Sequence, residues 1–105
     1  MKSPRQKLDD LLKGTAEGNE AAFAELYQAS SAKLFAVALR ILRSREAAEE
    51  VLQESFFRIW ERAGDFKPEI ASPITWMSAI VRNKSLDDWR TFLLRRGQHR
   101  GLRPS

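Results

Sequence analysis

The sequence predicts an all-α fold, a compact bundle of three long helices plus a short N-terminal one. Three observations carry that expectation. No stretch shows the period-two alternation of a half-buried strand. Apolar residues recur instead every three or four positions over long windows. Cap residues open those windows, and glycine or proline closes them.

Residues 1–6 are polar and expected to fray. Leu8, Leu11 and Leu12 then lie at helical spacing, with Gly14 expected to stop this first helix and residues 15–18 to turn the chain. Asn19 is a good N-cap for a long second helix reaching about Leu42, with Glu20 favourable in its first turn. Its core stripe is read as Phe23, Leu26, Tyr27, Leu34, Val37, Ala38, Ile41 and Leu42, with Ser30 and Ser31 marking a bend or a close helix approach. Ser44 caps the third helix, about Arg45 to Ala63, and Gly64 is expected at its C′ position. That helix should bury Ala48, Val51, Leu52, Ser55, Phe56, Ile59 and Ala63. Its other side carries Glu46, Glu49, Glu50, Gln53, Glu54, Arg58 and Glu61.

After a loop over residues 64–72, Ser72-Pro73 supplies an N-cap and a proline at the first helical position. From Ile74 no glycine or proline intervenes until Gly97, enough for a helix of about six turns. Met77, Ile80, Val81 and the methylene stem of Lys84 would face the core. A second stripe holds Trp76, Asn83, Asp87 and Arg90. An indole, an amide, a carboxylate and a guanidinium in line suit a face that reads a partner. The structural alternatives are that Trp76 packs under the loop and that Asp87 pairs with Arg90 at i, i+3. Trp60 is read as core first and Phe57 as either contact or tolerated surface.

Composition narrows the chemistry. The 105 residues include no cysteine and a single histidine, His99, so disulfides, thiolate metal sites and most acid–base chemistry drop out. No catalytic constellation stands on the basic face, and neither enzyme activity nor a cofactor is expected. No apolar run approaches the roughly 20 residues of a membrane span, and no h-region follows Met1, so a cytoplasmic location is expected. The formal charge of +4 is uneven: residues 82–105 hold seven Lys or Arg against two Asp, and residues 1–81 eleven against twelve acids. Phosphate is the natural partner for such a terminus.

Two blocks then resemble a family. Ala48-Glu49-Glu50-Val51-Leu52-Gln53-Glu54-Ser55-Phe56-Phe57-Arg58-Ile59-Trp60 resembles the acidic-aromatic helix of bacterial sigma factors of the extracytoplasmic-function type. The run from Trp76 to Arg90, with Arg82-Asn83-Lys84 and Asp87-Asp88-Trp89 inside it, is similar to the promoter-melting, −10-reading helix of the same sigma-70 region 2 domain. The resemblance extends from about Leu11 to Arg96. It implies a region 2 domain over residues 1–96 and a basic linker-like tail over 97–105.

The function so implied is transcription initiation: docking on the β′ clamp helices of core RNA polymerase, and recognition and melting of the promoter −10 element as a single non-template strand. An anti-sigma factor is a further implied partner. Glu50, Gln53, Glu54, Phe57, Arg58 and Trp60 fall on the implied docking helix. Trp76, Arg82, Asn83, Lys84, Asp87, Arg90, Arg95 and Arg96 fall on the implied DNA-binding side. Asp65, Phe66, Lys67 and Ser72 lie in the loop that would receive a flipped base. The family's second DNA-binding domain, which reads the −35 element, has no counterpart in these residues. The alternative reading is a helical interaction adaptor that does not bind DNA.

Overall fold

A computed structural model describes the backbone of residues 2–101 and the side chains of residues 2–95. Four helices follow in order: α1 (Pro4–Ala16), α2 (Glu20–Leu42), α3 (Arg45–Arg62) and α4 (Pro73–Gly101), with a 3₁₀ turn at Ala63–Asp65 after α3. The described residues contain no strand.

Each long helix opens on a polar cap. Asn19, Ser44 and Ser72 accept hydrogen bonds from the backbone N–H groups of Ala22, Ala47 and Thr75 at 3.1, 3.2 and 3.3 Å. Each thereby satisfies one of the N–H groups that a helix start leaves without a partner. The α3 stripe is buried as expected, with Ala48, Val51, Leu52, Ser55, Phe56, Ile59 and Ala63 all enclosed. They join Leu26, Leu34, Ala38 and Leu42 of α2, Leu12 of α1, and Met77 and Val81 of α4 in one core.

The first helix departs from expectation at both ends. Ser3 accepts from the Gln6 N–H at 3.2 Å and Pro4 occupies the first turn, so the segment expected to fray is a capped helix start. Gly14 does not stop α1, which runs on to Ala16. A Cβ at Gly14 would lie 2.7 Å from the Cβ of Ala22, so glycine is there because α1 and α2 meet at backbone distance. Gly18, at φ 83°, makes the turn instead.

Gly64 is likewise not a left-handed C′ residue, because the chain tightens through the 3₁₀ turn around it. The left-handed position falls on Arg43, φ 55°, whose N–H donates to the Leu39 carbonyl at 2.8 Å and ends α2. Tyr27, assigned to the core stripe, is 39% exposed, its ring tilted on Phe56 at 4.8 Å. In α4 the core row steps through Pro73, Met77, Val81 and Ser85, all buried, so the position after Val81 belongs to Ser85 and not to the Lys84 stem. A lone glycine weakens a helix without ending it, and α4 continues through Gly97 to Gly101.

Candidate functional site

The outer face of α3 is built by subtraction. Once its core row is buried against α2 and α4, Glu50, Gln53, Glu54, Phe57 and Arg58 are left in solvent. Phe57 is 65% exposed, an aromatic ring among acids and a guanidinium. Trp60 turns the other way. Its ring meets Phe23 edge-on at 5.1 Å and is half-buried, outside the buried core itself.

On α4, Arg82, Asn83, Asp87, Arg90 and Arg95 are exposed. Arg90 lies 3.8 Å from Asp87 in the i, i+3 arrangement anticipated as the structural alternative, with both side chains about 70% exposed. Such a pair is weak and easily exchanged for another partner. Trp76 is half-buried and stands edge-to-face against Phe66 at 5.7 Å, so the packing alternative accounts for its position. The Arg96 side chain lies outside the described residues, as do Leu102 to Ser105 entirely.

The loop between α3 and α4 is ordered by short-range bonds. The N–H groups of Ile70 and Ala71 donate to the Lys67 carbonyl at 3.0 and 3.3 Å. Phe66 is anchored on Trp76, whereas Asp65 and Lys67 are exposed. Ser72 caps α4 and donates to the Thr75 hydroxyl at 2.8 Å. From outside the loop, the Arg5 guanidinium donates to the Pro68 carbonyl at 3.1 Å, tying α1 to it.

The two expected contact sets share an edge. A groove of about 450 Å³ runs between α3 and α4, lined by Glu54, Phe57 and Arg58 on one wall and Asn83, Lys84 and Asp87 on the other. Lys84 is the bridge across it. Its ammonium sits 2.9 Å from the Glu54 carboxylate and 2.9 Å from that of Asp88. The hydrogen bond to Glu54, then that to Asp88, holds Lys84 above the usual lysine range, against a small opposing effect of burial. Expected as a DNA contact, Lys84 is therefore also the ion-pair link between the two helices.

Ser55 lines the same groove and is 1% exposed, and its hydroxyl has no hydrogen-bond partner. The other buried hydroxyls do have one: Thr15, Ser30 and Ser85 donate to the carbonyls of Leu11, Leu26 and Val81 at 2.7, 2.6 and 2.7 Å. Sequence reading assigned Ser55 to the core and gave no signal for this difference. It also missed the Lys84–Glu54 link, which joins residues 30 positions apart. Among the described residues, no group of three or more His, Asp or Glu is arranged to hold a metal, and no helix is long and apolar enough to cross a membrane.

The profile of sigma-70 region 2 matches residues 26–92 of the chain. The protein named ECF RNA polymerase sigma factor SigK in Mycobacterium sp. (strain KMS) is 31% identical over 84 residues, covering 80% of this chain and 44% of the relative. The protein of the same name in Mycobacterium tuberculosis (strain ATCC 25618 / H37Rv) is 30% identical over 80 residues, covering 76% and 43%. The chain belongs to the sigma-70 region 2 family. It spans less than half the length of these curated relatives.

Proposed function

We propose that this chain is the core-polymerase-docking and −10-promoter-melting domain of an extracytoplasmic-function sigma factor. The observation that carries the reading is the shared α3–α4 edge, where Glu54, Phe57 and Arg58 of α3 face Asn83, Lys84 and Asp87 of α4 across one groove. Glu50, Gln53 and Glu54 supply acceptors for a basic helix pair such as the β′ clamp, and exposed Phe57 supplies the apolar contact. On α4, the exposed Arg82, Arg90 and Arg95 bind phosphates without reading sequence. Asn83 reads a base, because its amide both donates and accepts while its charged neighbours cannot.

Strand opening in this scheme relies on a rigid frame. Phe66 braced on Trp76 and the Ser72 cap hold the loop in one shape, ready to accept a base turned out of the duplex. Lys84 keeps α3 and α4 in register, so polymerase docking and base reading are held in fixed relation. A protein inhibitor covering this edge would block both partners at once, which suits an anti-sigma factor.

The test is Asn83→Ala in the complex with core polymerase, read by permanganate footprinting of promoter opening beside thermal melting of the free protein. Asn is a poor residue in a helix interior, so the fold should be as stable or slightly more stable. Opening should fall by the equivalent of about 1–3 kcal/mol, selectively at one −10 position. A variant that melts several degrees lower and opens promoters in proportion to its folded fraction would make Asn83 structural. The adaptor reading gains if the wild-type chain binds no −10 single strand with core polymerase present.

A further inference from the structure

The second half of α4 carries a face that the core does not use. Trp89 and Phe92 stack there, and with Leu42, Ser44 and Ala47 they line a groove of about 370 Å³. Leu86 and Leu93 lie three positions before and four after Trp89 and so extend its side of the helix. Both are exposed, at 41% and 48%, where a solvent-facing helix surface ordinarily carries polar side chains. Large apolar residues grouped in this way mark a contact surface.

Charge identifies what the surface fits. Asp88 and Arg95 line the same groove, with Trp89, Thr91 and Phe92 between them. They stand two turns apart on one side of α4, about 10 Å along its axis. Asp88 is held by Lys84 at 2.9 Å yet keeps 35% of its side chain accessible. Arg95 is exposed and makes no ion pair with any described residue. An anion at one end, a cation at the other and rings between make a surface that complements itself. A half-turn of a second copy about an axis across α4 brings each Asp88 to the other's Arg95 and sets rings against rings. A nucleic-acid strand or an anionic membrane would meet Asp88 as a repelling charge. An unrelated partner would have to carry the reverse order of charges, which a second copy carries by construction.

We propose that two copies of this chain associate through this face, with their α4 helices antiparallel and an Asp88–Arg95 pair at each end of the apolar centre. The contact runs from Leu86 to Arg95, about three helical turns. That is small for a permanent dimer, so the association depends on concentration. It goes beyond the sigma reading and does not need it. On that reading Arg95 also meets phosphate, and the paired form withholds it from DNA.

The test is sedimentation equilibrium of the whole chain between about 1 µM and about 1 mM, the range of weak association. The wild-type mass should rise from that of one chain toward that of two. Asp88→Arg and Arg95→Asp should each weaken association by about tenfold or more, since each turns two attractive pairs into two repulsive ones. Mixed in equal amounts, the two variants should pair with each other at close to wild-type strength, because opposite charges then meet at both ends. Leu93→Gln should weaken association by at least about tenfold, because a two-fold contact loses the side chain twice. Thermal melting checks that each variant is folded. A wild-type chain that keeps the mass of one copy up to about 1 mM would overturn the proposal, and retention of that monomer on phosphatidylglycerol vesicles would give the face to a membrane. A dimer that tolerates all three substitutions would also overturn it, because another face would then hold the copies together. No arm contains polymerase or promoter DNA, so the sigma reading stands or falls separately.

Discussion

Residues 73–85 and 86–101 of α4 form one continuous helix, yet they live in different surroundings. The first half buries Pro73, Met77, Val81 and Ser85 at steps of four against the other helices. In the second half no described side chain is buried, although Leu86, Trp89, Phe92, Leu93 and Leu94 are 38–61% exposed and all large and apolar. Trp89 and Phe92 stack on each other at 5.6 Å and line a groove with Leu42, Ser44 and Ala47. Each half carries five large apolar residues. Whether they form a core depends on what runs alongside: Met77 and Val81 join a core with residues of α1, α2 and α3, and no described side chain beyond Ser85 does. Stability should therefore be concentrated in one half of a helix that looks uniform along its backbone.

The largest expected contrast follows directly. Met77 is fully buried, and Met77→Ala should cost about 2–5 kcal/mol. Leu94 is 61% exposed, and Leu94→Ala should change stability by less than about 0.5 kcal/mol. Urea unfolding of the two variants measures both. Equal losses would break the comparison, because they would mean that the second half is packed in solution.

Much of this was legible in the chain itself, and the reasons are local. The α3 stripe could be read residue by residue because it follows helical spacing without interruption, and the caps Asn19, Ser44 and Ser72 act on N–H groups three residues away. What escaped the reading depends on pairs of elements. Gly14 resembles a helix stop, and only the position of Ala22 on α2 shows it to be a point of close approach. Lys84 resembles a free cation until Glu54 arrives from α3. Ser85 rather than Lys84 continues the α4 row because that row runs in steps of four, where the sequence had been read with mixed steps of three and four. In the candidate site, residue types were readable, but the joining of two contact sets across one groove was not.

An intermediate effect tests the link that stands where the two halves of α4 meet. Lys84→Gln should lower stability by no more than about 1 kcal/mol, because the pair is partly exposed and screened. Its pH dependence is the sharper readout. The folded-state pKa of Lys84 is raised above its ordinary 10.5, so its contribution is complete below that value and is lost as pH rises through the folded one. The gap between wild type and Lys84→Gln should thus be constant from neutral pH to about 9.5 and shrink at higher pH. A gap that grows with alkalinity would show that Lys84 is not stabilised as an ammonium.

The smallest expected effect asks how complete burial is beside the groove compared with the packed half of α4. Ser85 and Ser55 are both essentially inaccessible, at 0% and 1% exposure. They differ in one bond: the Ser85 hydroxyl donates to the Val81 carbonyl at 2.7 Å, and the Ser55 hydroxyl donates to nothing. An unmet buried hydroxyl costs about 1–3 kcal/mol of desolvation, while a satisfied one is nearly balanced. Alanine also has the better helix propensity by a few tenths of a kcal/mol. Ser55→Ala should therefore stabilise the domain by about 0.5–1 kcal/mol, allowing for the small void left behind. Ser85→Ala exchanges a hydrogen bond for propensity and should lie within about 0.5 kcal/mol of wild type. Paired chemical-denaturation curves at one salt concentration resolve the two. If Ser55→Ala is destabilising by as much as 1 kcal/mol, its hydroxyl has a partner in solution and the groove wall is wetter than the packed half of α4.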